Sequence, residues 1–487
     1  MWWTAQTTRL KGWCATRMGR TTRNSAFLFA SQVVERVAGY GFLLYITRAF
    51  GPALYGSYQT VVTLVGMAGT LCDFGLSNLI IKDVAKDQER ASEYLAKLFP
   101  VKGSLTLGAF LLLLAATRTL GYPWEVTMLA ALAGLSWLWG LVIGLVGPGL
   151  AGYERIDLTS KASTLGSLLT TALGILALSL GLGLWGIFGG WFLVGGIQAA
   201  LLTWMARREG ITIRPCLDIP VSTDILRRAT PFALIGIGLI HNMTAIVILS
   251  RVFGPVAVGL YGAARKPLEL LLLIPTSLMG ALYPVMASYH QQASPLFLAT
   301  YLRNVHVMMR LAVPITLGCT VLGDRLVVLL FGEAFSPAGD AFRVLSWALA
   351  LGFVTSPADN VIFSAERVRA FLPFFWLKVV VHVGLDLLLI PRWSYMGASV
   401  ATLVSEVLDF VTHICFIRLI LGHAPPFRAM GRGLLLPGVG MVGVMVALSG
   451  QPVLVSLAGG MVAYGAMLLP SWRRPVLLGG ELGGGER

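Results

Sequence analysis

A few charged side chains lie inside long apolar stretches of this chain. A charge at the centre of a bilayer costs about 2.5–3.5 kcal/mol on insertion scales, so a retained one usually faces protein or a water-filled cavity. Arginine and lysine in such a cavity would bind an anion, because guanidinium forks match phosphate oxygens in geometry and charge. The candidate anion-binding residues are Arg36, Arg265, Lys266, Arg310 and Lys378.

Titratable residues also recur at helical spacing, so that each group shares one helix face. The two groups are Lys378, His382 and Asp386, and Glu406, Asp409 and His413. If the faces meet, they form a polar network inside the apolar region. Two interpretations are open, namely structural ion pairs between neighbouring helices, or an element that responds to protons or ions. The ion-coupling candidates are Asp73, His382, Asp386, Glu406 and Asp409.

Several of these charges have a structural interpretation as well. Arg265 and Lys266 lie near one end of an apolar stretch, where long side chains reach the interface with water. Asp73 lies deep in its stretch and is a candidate ion-pair partner of Arg36, which cannot reach the interface as easily. An unpaired Asp73 would instead suit cation coupling.

The elements that must position these residues are transmembrane helices. Hydrophobic residues make up 56% of the 487 residues and charged residues 12%, against about 25% charged in soluble chains. A span needs about 20 apolar residues, and the sequence predicts an all-α integral membrane protein with about fourteen spans. The predicted spans are 25–47, 57–81, 96–117, 124–147, 160–181, 184–206, 230–252, 260–283, 301–322, 342–364, 371–390, 395–417, 432–449 and 452–470.

The basic residues predict the orientation of these spans. The net charge of +14 comes from residues between apolar runs, which favours the positive-inside rule over nucleic-acid binding. Only a few basic residues fall in the loops on the opposite side, and they are Arg48, Arg118, Arg251, Arg325, Arg343 and Arg392. We therefore predict a multi-pass protein of the cytoplasmic (inner) membrane with both termini in the cytoplasm.

An internal repeat divides the chain. The pattern Arg-x-Phe-Gly-Pro-x-x-x-Gly-x-Tyr begins at Arg48, after the first span, and again at Arg251, after the seventh. An even number of spans separates the copies, so the halves are parallel. The predicted parts are a basic N-terminal segment (1–24), an N-lobe of six helices (25–206), a cytoplasmic linker (207–229), a C-lobe of six helices (230–420), and two added helices with a short tail (421–487).

Neither a metal site nor a cofactor is expected. The cysteines show no CxxC or other metal-ligand spacing and are Cys14, Cys72, Cys216, Cys319 and Cys415. The sequence also lacks a nucleotide-binding loop and a DxD motif, and its loops are short, which argues against an enzyme such as a membrane glycosyltransferase.

Three segments resemble bacterial polysaccharide (O-antigen type) flippases of the multidrug/oligosaccharidyl-lipid/polysaccharide exporter (MOP) superfamily. They read RAFGPALYGSYQTVVTLVGMAGTLCDFGLSNLIIKDVAKDQER, VLLFGEAFSPAGDAFRVLSWALA and PRWSYMGASVATLVSE. The resemblance implies two bundles around a central cavity, alternating access, and a polyprenyl-diphosphate-linked glycan as cargo. It also implies contact with membrane lipids, and polysaccharide polymerase and glycosyltransferases are candidate partners.

Two residues match the peptidoglycan-lipid flippase branch individually. Arg36, in ERVAGY, and Arg265, in YGAARK, resemble cavity arginines that are thought to meet the diphosphate in that branch. Phe42 departs from it, since the branch has a further arginine there, and this favours a general polysaccharide flippase. The alternatives are a peptidoglycan-lipid flippase and a cation-coupled multidrug exporter, although drug exporters of the superfamily usually have twelve spans.

Overall fold

The computed structural model describes residues 2–211, 219–422 and 425–472. These residues form sixteen α-helices and one short 3-10 helix, as expected where lipid offers the backbone no hydrogen-bond partners. The helices are α1 (Trp2–Asp73), α2 (Leu76–Lys86), α3 (Ala91–Thr119), α4 (Trp124–Leu135), α5 (Trp137–Gly152), α6 (Ile156–Ser179), α7 (Gly183–Arg208), α8 (Ile219–Leu239), α9 (His241–Val252), α10 (Pro255–Leu271), α11 (Leu273–Gln291), α12 (Leu296–Phe331), α13 (Ala338–Ser364), α14 (Val368–Leu421), α15 (Phe427–Ala447) and α16 (Val453–Trp472), with the 3-10 turn at Glu333–Phe335.

The helices confirm the predicted all-α membrane fold. In the described part of the chain, ten helical segments are long and apolar enough to cross a membrane, and Val453–Leu469 is a shorter apolar helix. Two of the ten carry two predicted spans each, because α1 is kinked at Gly51 and α14 at Ser394. Four predicted spans are interrupted inside, since α1 and α2, α4 and α5, α8 and α9, and α10 and α11 follow one another with only a short break.

The repeated motif forms the same turn twice. Gly51 and Gly254 both have positive φ, 73° and 77°, a conformation that is costly for residues with a Cβ. A proline follows each glycine and begins the next helical segment, where its missing N–H leaves no hydrogen bond unmade. The sequence repeat is therefore a helix–turn–helix repeat in three dimensions.

The second glycine of each copy allows a close backbone approach. A Cβ placed on Gly56 would collide with the carbonyl of Pro255, and one placed on Gly259 would collide with the carbonyl of Pro52. Residues 52–56 thus lie against residues 255–259 with their backbones in contact, as small residues permit in membrane helices.

Packing divides the chain into two compact units. The first comprises residues 1–50 and 57–243, and the second comprises residues 51–56 and 244–487. A buried core in the first unit joins α2, α3, α5 and α7 and includes Leu76, Leu95 and Leu150. Ile225 and Ala229 of α8 belong to the same core, so α8 packs with the first unit.

Two buried cores can be traced among the described residues of the second unit. One joins α11, α12, α13 and the end of α14, with Tyr301, Val361 and Ile417 fully buried. The other joins α12 to α15 and α16 through residues such as Met441 and Met445. The two added C-terminal helices are therefore attached to the second unit through α12.

Parts of the predicted domain plan fall outside the described residues. These are residue 1 of the N-terminal segment, residues 212–218 of the linker, and residues 423–424 and 473–487 of the C-terminal part. The predicted boundaries between lobes and linker stay predictions.

Candidate functional site

Two cations and one carboxylate form a triad on α10. Arg265 Nε lies 2.7 Å from Glu269 Oε1, and Lys266 Nζ lies 2.8 Å from Glu269 Oε2. The spacings of four and three residues place all three side chains on one helix face. All three are partly exposed. The triad carries one net positive charge, and Glu269 holds the guanidinium in place.

A second network lies where the two halves of α14 pack together. Lys378 Nζ lies 2.9 Å from Glu406 Oε1 and 3.2 Å from Asp409 Oδ2. The two predicted polar faces therefore meet, and Lys378 is the residue that joins them. Two carboxylates already engage this lysine, so a structural role as their counterion competes with the predicted role in anion binding.

Asp386 contacts α9, whereas Lys378 contacts the second half of α14. Its side chain is completely buried, and its Oδ2 accepts a hydrogen bond of 2.7 Å from the Thr244 hydroxyl of α9. His382 Nε2 lies 3.7 Å from the same carboxylate oxygen. Asp386 Oδ1 receives no hydrogen bond from the described residues. The predicted face of α14 is thus divided, with one end directed to the second half of α14 and the other to α9.

His413 brings in a residue that the sequence analysis missed. Its Nε2 lies 3.1 Å from Asp359 Oδ1 of α13, and its Nδ1 lies 2.8 Å from the backbone carbonyl of Asp409. Asp359 lies inside a predicted span, so a complete inventory of charges in apolar stretches would have found it. Its pairing with His413 depends on the packing of α13 against α14.

The expected pairing of Asp73 with Arg36 is wrong. Asp73 Oδ1 instead lies 3.0 Å from Lys102 Nζ of α3, and the Ser77 hydroxyl donates to the same oxygen. The lysine side chain is only 4% exposed, and its ammonium group also contacts the carbonyl of Gly144 at 3.0 Å. Lys102 was missing from the predicted set, although it too lies in a predicted span.

Arg36 lies on the surface of the first unit. Its side chain is exposed, whereas the neighbouring Glu35 is partly buried. Phe42, one and a half turns later, packs against Gly174 of α6 and the ring of Tyr58. The aromatic ring at this position therefore fills space inside the first unit.

Arg310 is placed close to the added helices. Its Nε is buried and has no hydrogen-bond partner among the described residues. Its backbone carbonyl accepts a hydrogen bond of 3.1 Å from the Tyr464 hydroxyl of α16. The guanidinium of Arg310 is thus a cation without a carboxylate partner in the described part of the chain.

An apolar cavity of about 520 Å³ lies beside α12 in the second unit. Its walls come from α12, α13, the second half of α14, and Phe427 of α15. Met309, next to Arg310, is one of the lining residues. A cavity of about 150 Å³ holds one benzene molecule, so this one has room for roughly twenty carbon atoms of an apolar chain.

The described residues contain no group of three His, Cys, Asp or Glu side chains that could hold a metal ion. The polar groups found here are suited to binding an anion, to exchanging protons, or to holding a monovalent cation at a carboxylate. None of these arrangements forms a nucleophile with an adjacent base.

Comparison with known proteins identifies relatives over most of the chain. Residues 21–290 match the model of a family described as polysaccharide biosynthesis protein. The probable flippase AglR of Haloferax volcanii is 23% identical over 482 residues, which cover 93% of this chain and 96% of that protein. The probable low-salt glycan biosynthesis flippase Agl15 of the same organism is 20% identical, covering 81% of this chain and 83% of its own.

Solved structures share the fold. The lipid II flippase MurJ, in an inward closed conformation, is similar with a TM-score of 0.74 and 11% identity, covering 92% of this chain and 98% of that one. An inward-facing multidrug resistance MATE transporter of the MOP superfamily has a TM-score of 0.63 and 16% identity, covering 80% and 96%. At these identities the likeness concerns the fold.

Proposed function

Because the chain belongs to the polysaccharide biosynthesis protein family, we propose that it is a flippase for a polyprenyl-diphosphate-linked oligosaccharide. It is a multi-pass membrane protein of the MOP superfamily with a transporter fold. In the proposed activity it moves its cargo across the cytoplasmic membrane by alternating access, for polysaccharide export. The relatives named as flippases carry this proposal, together with the positively charged triad of α10.

The α10 triad is suited to a diphosphate. Arg265 can direct guanidinium N–H groups at phosphate oxygens while Nε stays bonded to Glu269, and such charge-assisted bonds are stronger than neutral ones. Lys266 adds a second cation on the same face. The carboxylate prevents the two cations from repelling each other in the absence of cargo, and the net charge still attracts an anion.

Arg36 is the proposed cation of the first unit. It is exposed on a helix segment predicted to lie within the membrane, where an uncompensated charge is costly unless it faces water or a ligand. An anionic headgroup passing through a wet cavity would supply that compensation. The packed ring of Phe42 leaves no place for a further cation at its position, which favours a general glycan flippase over a peptidoglycan-lipid flippase.

The lipid tail of the cargo needs an apolar route. The cavity beside α12 has room for roughly twenty carbons, by comparison with a benzene-sized cavity. It is therefore large enough for part of a polyprenyl tail. Arg310, next to lining residue Met309, would bind phosphate near the start of such a tail.

Coupling to an ion is proposed for the acidic residues of α14. Asp386 is buried with one carboxylate oxygen that no described residue satisfies, so a proton or a cation at this oxygen would lower the cost of burial. Glu406 and Asp409 are already engaged by Lys378. Asp73, paired with Lys102, is a weaker candidate in the first unit.

The proposal is tested by lipid-linked oligosaccharide flipping in proteoliposomes. Arg36→Ala and Arg265→Ala should each reduce the rate by about tenfold or more, the effect of losing about 1.5–3 kcal/mol from one charge-assisted bond. Arg118→Ala is the matched control, because this arginine stacks on Trp124 with 5.2 Å between its guanidinium carbon and the ring centroid. Wild-type rates in both Arg36→Ala and Arg265→Ala would refute the assigned roles.

A drug-resistance assay in a sensitised host distinguishes the flippase from the alternative function, a multidrug exporter. A multidrug exporter of similar fold would protect the host, and its activity would survive loss of Arg265. No protection together with glycan flipping supports the flippase. Pull-down of the tagged protein would show whether a polysaccharide polymerase or glycosyltransferases are partners.

A further inference from the structure

Five titratable side chains form a continuous chain of contacts in the second unit. His413 Nε2 contacts Asp359 Oδ1 at 3.1 Å, and His413 Nδ1 lies 3.5 Å from Asp409 Oδ1. The other oxygen of Asp409 lies 3.2 Å from Lys378 Nζ, which lies 2.9 Å from Glu406 Oε1. The contacts join α13 to both halves of α14.

The hydrogen bonds of His413 require a proton that is shared between its ring and the Asp359 carboxylate. Its Nδ1 lies 2.8 Å from the backbone carbonyl of Asp409, and a carbonyl oxygen can only accept, so Nδ1 carries a hydrogen. Its Nε2 then faces the carboxylate of Asp359 at 3.1 Å. An ionised carboxylate also only accepts, so this contact is a hydrogen bond only when a proton lies on Nε2 or on Asp359.

We propose that His413 and Asp359 form a proton-binding site that exchanges its proton with water through Asp359. The loaded site is imidazolium with carboxylate, and it holds one proton more than the unloaded site, which is imidazole with carboxylate. When that proton leaves to water from Asp359 Oδ1, the imidazole Nε2 and the carboxylate face each other as two acceptors.

The two side chains of the site differ in exposure. The Asp359 side chain is 50% exposed, whereas that of His413 is 4% exposed. Asp359 lies five residues from the end of α13, roughly 7.5 Å along the axis, and Lys378 lies ten residues from the start of α14, roughly 15 Å. The chain of contacts therefore leads from an exposed carboxylate near the helix ends to buried groups deeper in the unit.

The charged groups around the site make the proton important. Asp409, Lys378 and Glu406 are the other charged groups that face it in the described residues, and the ring of Phe371 packs on the imidazole with 4.5 Å between the ring centroids. With the proton present the five groups carry a net charge of about −1, and without it about −2, since His413 is then neutral. Without the proton the half-exposed Asp359 carboxylate faces a neutral ring, and the contact of α13 with α14 loses its charge-assisted hydrogen bond.

This inference deepens the proposed function, on which its role in transport rests, by naming protons as the coupling ion. A site that changes the cohesion of α13 and α14 when it loads a proton is what a proton-coupled transporter needs. The binding site itself can be tested without any cargo, so its failure is distinguishable from failure of the flippase proposal.

The test is an infrared titration of the histidine rings in the purified full chain between about pH 5 and 8, where histidine changes charge. Asp359→Asn should move the titration of one ring by about one pH unit or more to lower pH, since an opposite charge at this distance shifts titration by about that much. Asp359→Glu keeps the carboxylate and all six histidines, so it should give the wild-type titration curve.

His413→Gln identifies the ring, and His306→Gln is the matched control. His306 is a partly buried histidine of α12 in the same unit, next to Arg310 rather than a carboxylate. The shift caused by Asp359→Asn should persist in the His306→Gln protein and vanish in the His413→Gln protein. An unchanged titration in Asp359→Asn, or a shift that persists without His413, would overturn the proposal.

Discussion

Replacing Lys378 by methionine should destabilise the second unit more than any single surface change. The substitution removes the cation that lies 2.9 Å from Glu406 and 3.2 Å from Asp409 while nearly preserving the volume of the side chain. Lys378 is 14% exposed, and Glu406 and Asp409 are 22% and 12% exposed. The two carboxylates would then be buried next to each other without their cation.

The magnitude follows from burial. At an effective dielectric constant of about 20, a pair of unit charges about 2.9 Å apart attracts by about 6 kcal/mol before desolvation is counted. Removing one partner of a buried pair typically costs about 3–5 kcal/mol, because the charge left behind remains desolvated. We expect Lys378→Met to fall in this range. Removing the carboxylates as well should recover most of the loss, since an apolar or neutral set of similar volume has no charge to compensate.

A series of three variants measures this. Thermal unfolding in detergent should give the order Lys378→Met least stable, Lys378→Met with Glu406→Gln intermediate, and both with Asp409→Asn close to wild type. Lys161→Met is the control, because Lys161 is 50% exposed and lies 3.5 Å from Asp157. Exposed pairs contribute at most about 1 kcal/mol.

Two results would refute the reasoning. If Lys378→Met unfolds at the wild-type temperature, the lysine does not compensate buried carboxylates. If the triple variant is no more stable than the single one, the loss comes from packing rather than from charge. Flipping by a stable triple variant would in addition decide between the two interpretations of the α14 network, because a purely structural network can be replaced without loss of transport.

The remaining predictions concern close approaches and topology. Gly144→Ala should cost about 1–3 kcal/mol, because its Cβ would lie 2.5 Å from the Lys102 ammonium nitrogen and would push this buried group away from Asp73 and the Gly144 carbonyl. The loss should be visible in thermal unfolding. Gly56→Ala should cost at least as much, since its Cβ would meet the backbone of the other repeat copy. Gly384→Ala is the control, because nothing lies within 4 Å of its Cβ, and it should be neutral or stabilising by about 0.5–1 kcal/mol. Equal melting temperatures for the two variants would contradict the close contact at Gly56. A reporter fused after Arg487 should be active only in its cytoplasmic form, and an active periplasmic reporter would overturn the predicted orientation.

Sequence by itself determined the class of this protein and most of its helices. Long apolar runs can only be satisfied by helices in a bilayer, and this constraint is local, so composition and hydropathy were sufficient. The repeat also needed no tertiary information, because a glycine with positive φ followed by proline is a local feature at both Gly51 and Gly254. The helical spacing correctly placed Lys378 on the face that meets Glu406 and Asp409.

Only the tertiary structure decided which charges are paired. Asp73 joins Lys102, and His413 joins Asp359, although 29 and 54 residues separate the partners along the chain. Such pairings depend on how α3 packs near α1 and how α13 packs against α14, and helical periodicity contains no information on either. The same limit explains why the predicted face of α14 proved to be divided between Glu406 and Thr244. A sequence states which charges are costly in a membrane, whereas packing determines which neighbour compensates each one.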